Sequence, residues 1–176
     1  MASGALYVIR SPFDALVAEF NRRSAGLNHT GSVPRSAFQG PEWDAFVSNY
    51  ISGWVTNVEF WLHAHQAGRS YRDARARPVH LAFYELFVHS LGEEATLMFD
   101  WLRGHFAARR GLDLPQTSDA LLCLLNDQQG SFRRSSKSRF NPFSQAQRDK
   151  ICAQVAGLWH ADVWGPCTGA MQWERK

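Results

Sequence analysis

Arginines set beside hydroxyls and a glycine are the residues of this chain best suited to chemistry. Arg10 stands directly after Leu6-Tyr7-Val8-Ile9 and directly before Ser11-Pro12. Its planar guanidinium can grip a phosphate or sulfate through two parallel hydrogen bonds. A charged hydrogen bond of that kind contributes roughly 1.5–3 kcal/mol. Arg10 fits equally well an ion pair with a nearby carboxylate such as Asp14. A second group, Gly130-Ser131-Phe132-Arg133-Arg134, places two cations beside a hydroxyl and a glycine. Such a loop can wrap an anion with side-chain and backbone donors, and Phe132 adds a face on which a purine can stack. Taken alone, the same stretch also reads as an exposed basic loop. Two anion-suited places in one chain suit a doubly charged ligand.

Local rules set the elements around Arg10. Residues 6 to 9 form a short, mostly β-favouring run suited to a strand buried on both faces. Ser11 is a good N-cap, Pro12 belongs at the first helical position, and Asp14 lies three residues after Ser11, as in a capping box. Phe13, Leu16, Val17 and Phe20 then recur at helical spacing. The unit reads strand, tight turn, helix. In open α/β sheets ligands bind beyond the carboxyl ends of strands, where a helix N-terminus favours an anion by about 0.3–1 kcal/mol.

Further along, residues 24 to 41 lack periodicity and read as a loop. Residues 41 to about 64 form a long helix, with Trp43, Phe46, Val47, Tyr50, Trp54, Val58, Trp61 and Leu62 on one broad apolar face. Residues 65 to 78 form a basic loop with Arg69, Arg72, Arg75 and Arg77. Residues 79 to 84 form a second buried strand, ended by Glu85. A helix over about 91 to 106, a short helix over 119 to 125, and a polar basic loop over 126 to 143 follow. Ser144 caps the last long helix, where Gln147 completes a second capping box and Ile151, Val155 and Leu158 form the buried stripe. No internal repeat is visible.

The chain has 176 residues, 45% of them hydrophobic, enough apolar matter for one globular domain spanning residues 1–176. A formal charge of +3 favours anionic ligands but is far below what nucleic-acid binding alone would suggest, so no nucleic acid is expected as partner. No apolar run approaches the length of a membrane span, and no signal peptide is visible. Cys123, Cys152 and Cys167 lack metal-ligand spacing, and no metal is expected. They fit buried free thiols, or a Cys152–Cys167 bridge in an oxidising compartment. Asn28-His29-Thr30 fits the N-glycosylation pattern, which matters only in the secretory pathway.

Four segments, in order, carry a resemblance: "VIRSPFDALVAEFNRR", "EWDAFVSNYISGWVTNVEFWL", "VHLAFYELF" and "GSFRRSSKSRFNPFS". The first resembles the 3′-phosphate-binding segment of sulfotransferases that use 3′-phosphoadenosine 5′-phosphosulfate. Together they resemble most the WSC-domain-containing sulfotransferases, described as acting on sialic acid, over roughly residues 5 to 160. The resemblance implies an α/β fold: an incomplete P-loop-like sulfotransferase fold, a short parallel sheet flanked by long helices. Arg10 would bind the 3′-phosphate, with Ser131, Arg133 and Arg134 closing on it from the other side. Tyr84 and Phe132 would sit at the adenine. The co-substrate would be 3′-phosphoadenosine 5′-phosphosulfate and the acceptor a glycan or glycoprotein hydroxyl. The whole protein would be a Golgi membrane enzyme with its catalytic part on the lumenal side.

The chain also departs from the family pattern. Many sulfotransferases carry a serine where Ala18 stands, so one phosphate donor is missing. The loop over residues 65 to 78 is longer than the family leads one to expect. The family's phosphosulfate-binding strand and loop, and its general base, precede the Arg10 segment and are missing here. The chain is therefore expected to be a C-terminal portion, inactive alone, with no catalytic residue assigned. His29 is the nearest available base. The rival expectation is a non-catalytic basic module that holds an acidic partner through Arg69 to Arg77 and Arg133 to Arg139.

Overall fold

The computed structural model describes residues 4–26, 31–68, 78–107, 114–126, 141–158 and 167. It is mixed α/β, mostly helical, with one two-stranded parallel sheet among the described residues. The chain divides into two compact units. One, the sheet unit, comprises Met1–Ile9 and Phe60–Lys137; the other, the helical unit, comprises Arg10–Glu59 and Ser138–Lys176.

In the sheet unit, β1 (Ala5–Ile9) runs parallel to β2 (Val79–Phe83), with Ala5 opposite Val79 and Ile9 opposite Phe83. The β-branched and aromatic residues expected to make a strand do so, but not as a strand buried on both faces. Leu6 is 39% and Val8 49% exposed, whereas Ile9 is 1% exposed. Alternation explains the split: Ala5, Tyr7 and Ile9 share one face, Leu6 and Val8 the other. The ring of Tyr7 stacks on Trp61, centroids 5.1 Å apart, so only that face of β1 gains cover there.

β2 stops at Phe83, one residue short of the expected end, because Tyr84 opens helix α3 (Tyr84–His89); α1 (Pro12–Ser24) and most of α2 (Pro41–Gly68) belong to the helical unit. Glu85 does not end a strand but lies in the first helical turn, where a carboxylate complements the helix dipole. α4 (Leu91–Leu102) follows, with Ala95 fully buried. The expected run to about residue 106 instead widens into a π turn over Arg103–Ala107, which contains the helix-weakening Gly104. Arg103 Nη1 donates to the carbonyls of Leu114 (3.2 Å) and Pro115 (2.6 Å). Thr117 Oγ1 donates to Asp100 Oδ1 at 2.6 Å. These bonds tie the end of α4 to the start of α5 (Thr117–Asn126).

The helical unit is built on an aromatic core. α1 (Pro12–Ser24) buries Phe13, Leu16 and Phe20. α2 (Pro41–Gly68) contributes its first turns to this unit and buries Trp43, Val47, Ile51 and Val58 at helical spacing. Trp43 lies 5.0 Å from Phe20, 5.1 Å from Phe38 and 5.2 Å from Phe143, ring centre to ring centre. Each such pair adds about 0.5–1.5 kcal/mol beyond area burial.

The stretch read as a plain loop holds a 3₁₀ turn, Arg35–Phe38, whose Phe38 is buried. Asn21 pins its start: Oδ1 accepts from the Val33 N–H at 2.9 Å, while Nδ2 donates to the Val17 carbonyl at 2.9 Å. Gly40 turns the chain into α2 at φ +87°, a conformation that disfavours side chains. α6 (Gln145–Val155) begins with the expected capping box: Ser144 Oγ accepts from the Gln147 N–H at 3.2 Å, and Gln147 Oε1 accepts from the Ser144 N–H at 2.8 Å. Cys152 and Cys167 form a disulfide, and Cys123 is a free, exposed thiol rather than a buried one.

Candidate anion-binding site

The site is built from the junction of strand and helix. β1 ends at Ile9, Arg10 follows, Ser11 is the N-cap, and Pro12 starts α1. Pro12 has no N–H to satisfy and presets the helical φ, which lets α1 start one residue after Ser11. The Ser11 carbonyl accepts the first helical bond, from the Ala15 N–H at 2.8 Å. The capping box expected of Ser11 and Asp14 is not formed, since the Ser11 side chain caps none of the first-turn N–H groups. Asp14 is one methylene shorter than the Glu that normally reaches back in such a box. The N–H groups of the first turn are thus not taken by an N-cap side chain, and they point away from the helix toward its N-terminal end.

Arg10 is half-buried, and its Nε is shut off from solvent. Partial burial strengthens any charged hydrogen bond the guanidinium makes. Tyr84, the residue after β2, is 43% exposed at the first position of α3. Ile9 pairs with Phe83, so the two strands end level. Glu85, the residue after Tyr84, was not singled out for the site from sequence. Its Oε2 lies out of water, and the signal was a carboxylate placed directly after an aromatic strand end. Ser131, Phe132, Arg133 and Arg134 lie outside the described residues, as do Arg69 to Arg77 and His29.

Other cations near Arg10 in sequence are already committed. Glu19 accepts from Arg22 Nη2 at 2.7 Å and from Arg23 Nε at 2.7 Å. The Arg23 guanidinium also lies over the Tyr50 ring, 4.4 Å from its centre. Arg22 is thus held on α1 by Glu19, and Arg23 is held between Glu19 of α1 and Tyr50 of α2.

The chain is similar to proteins named WSCD (WSC domain-containing) family members. It is 27% identical over 154 residues to one from Drosophila pseudoobscura pseudoobscura, covering 85% of this chain and 42% of the relative. It is 26% identical over 153 residues to one from Drosophila melanogaster, covering 85% of this chain and 41% of that protein. It is 28% identical over 151 residues to one from Aedes aegypti, with 84% and 41% covered. The chain thus matches about four tenths of the length of these curated relatives. No family model matches the chain, and no solved structure matches it.

Proposed function

We propose that this chain is the nucleotide-holding portion of a sulfotransferase-type protein. In that reading it binds 3′-phosphoadenosine 5′-phosphosulfate, the sulfuryl donor for a glycan hydroxyl. Arg10 grips the 3′-phosphate in bidentate fashion, beside the first-turn N–H groups of α1. Ser131, Arg133 and Arg134 supply donors from a second side, and Tyr84 and Phe132 flank the adenine. The observation that carries the reading is the junction itself: a parallel strand ending at Ile9, then Arg10, Ser11-Pro12 and a helix whose first turn lacks a side-chain cap. The similarity to WSCD family members supports it.

Sulfuryl transfer moves an SO₃ group in line from the phosphosulfate to the acceptor oxygen, whose proton must go to a base. Cations and N–H groups stabilise the departing phosphate. The contribution of this chain is to bind and orient the nucleotide, and the general base is not assigned to any of its residues. A Golgi lumenal location belongs to the same proposal, and the Cys152–Cys167 disulfide supports it, since such bonds persist in oxidising compartments.

The test is thermal protection of the full chain by adenosine 3′,5′-bisphosphate. A ligand at a hundred times its Kd stabilises the folded state by about 2.7 kcal/mol. Arg10→Ala and Arg133→Ala should each remove most of that protection. Protection that survives both substitutions overturns the site. Protection that is absent, alongside steep salt dependence for any polyanion, favours the basic-module reading instead.

A further inference from the structure

The sheet unit contains a cluster that the nucleotide reading does not use. Two histidines flank Trp101, and a third, His65, lies close enough to act on His80. His80, on β2, has its ring 5.4 Å from that of Trp101. His105, in the π turn after α4, stacks on the same ring at 5.1 Å. His105 Nδ1 donates to the Trp101 carbonyl at 3.1 Å. His65, near the end of α2, donates from Nδ1 to the carbonyl of Val79, the first residue of β2, at 2.6 Å. A carbonyl can only accept, so in both cases the proton sits on Nδ1.

Among the described residues, the charged groups that act on His80 are His65 and His105, cations when protonated. The acidic groups on the helices packed against β2 are Glu85 of α3 and Glu93, Glu94 and Asp100 of α4, and none of them is among the groups that shift His80. Asp100 instead accepts from Thr117. The neighbour of His80 across the sheet is apolar Leu6. Among the described residues no three ligating side chains are grouped to hold a metal ion, and the cation that imidazoles ordinarily take up near neutral pH is the proton.

We propose that the His65–His80–His105 cluster makes the packing of β2 acid-sensitive, so that mild acidification releases the strand from the helices beside it. Burial, and then the neighbouring His65 and His105, hold the His80 imidazole below its ordinary range. The unfolded chain takes up the proton at the ordinary value, about 6.5, and the folded chain resists it. Stability of this unit is therefore complete above that value and lost as pH falls below it. His65 and His105 are each held in place by a hydrogen bond to a backbone carbonyl. The proposal does not depend on the nucleotide reading.

Amide hydrogen exchange of the full chain, read by mass spectrometry from about pH 7.5 to about pH 5.5 and corrected for intrinsic rates, tests it. Protection over Val79–Phe83 should be lost progressively as the pH falls through this range. Protection of α6, which carries no histidine, should hold. His80→Phe keeps an aromatic ring and should abolish the pH dependence. His105→Asn is the second variant: it removes one cation, leaves a side-chain N–H near the Trp101 carbonyl, and should weaken the dependence. Constant protection of β2 across this range overturns the proposal, as does a fall undiminished in both variants.

Discussion

Glu19 shows how a single carboxylate can hold two arginines at once. Its two oxygens accept from Arg22 Nε and Nη2 and from Arg23 Nε, all at 2.7–2.8 Å. The Arg22 hydrogen bond, followed by that of Arg23, holds the Glu19 carboxyl down at about 2 against burial. A carboxyl held low in the folded state contributes stability above its unfolded value, about 4.5, and loses it as pH falls toward about 2. The group is solvent-accessible, so the energy is small: an i,i+4 helical pair such as Glu19–Arg23 gives about 0.3–0.5 kcal/mol. Glu19→Gln should therefore cost about 0.5 kcal/mol at neutral pH and nothing below about pH 2. Urea unfolding at stepped pH checks this; an unchanged acid limb in the variant would show that the pair is energetically silent.

At the scale of elements, capping separates what could be read in advance from what could not. Ser144 and Gln147 have the types and spacing of a capping box, and both bonds form. Gln147 Nε2 also donates to Asp44 Oδ1 of α2 at 2.8 Å, joining two helices of the same unit. Ser144→Ala should cost about 1 kcal/mol, and Gln147→Ala somewhat more, since it removes the tie to α2 as well. Chemical denaturation of the two variants decides the order; equal costs would mean that the Asp44 bond adds nothing. Ser11 and Asp14 share the spacing but not the reach, which a pattern of residue types does not measure. The strand-to-helix junction at Arg10 was legible because Leu6 to Ile9 and Pro12 obey local rules of propensity and φ. The exposed face of β1 was not, because burial depends on which elements cover a strand. The end of β2 was misjudged by one residue for a related reason: an aromatic such as Tyr84 favours strands yet also starts a helix. The histidine cluster left no sequence signal at all. His65, His80 and His105 meet only when α2, β2 and the end of α4 pack together.

On the scale of the whole molecule, the covalent bridge sets a condition on where the chain can fold. Cys152 sits on α6 beside Ile151 and one turn before Val155, both fully buried, and its bond to Cys167 spans 15 residues. A closed loop of that size stabilises by about 3 kcal/mol in the chain-entropy model, by restricting the unfolded state. For a chain of this length such a loss corresponds to about 6–12 °C in Tm. Dithiothreitol should therefore lower Tm by that order, and Cys152→Ser should match the reduced protein, whereas Cys123→Ser should leave Tm where it was. Both bridge cysteines belong to the helical unit, so the loss should appear first as faster amide exchange in α6, while β2 keeps its protection at neutral pH. That contrast separates the bridge from the histidine cluster, since reduction loosens one unit and acid the other. Alkylation of the native protein reads the premise directly. One modified cysteine, Cys123, is expected; three would remove the bridge, and with it the support the disulfide lends to an oxidising, lumenal location.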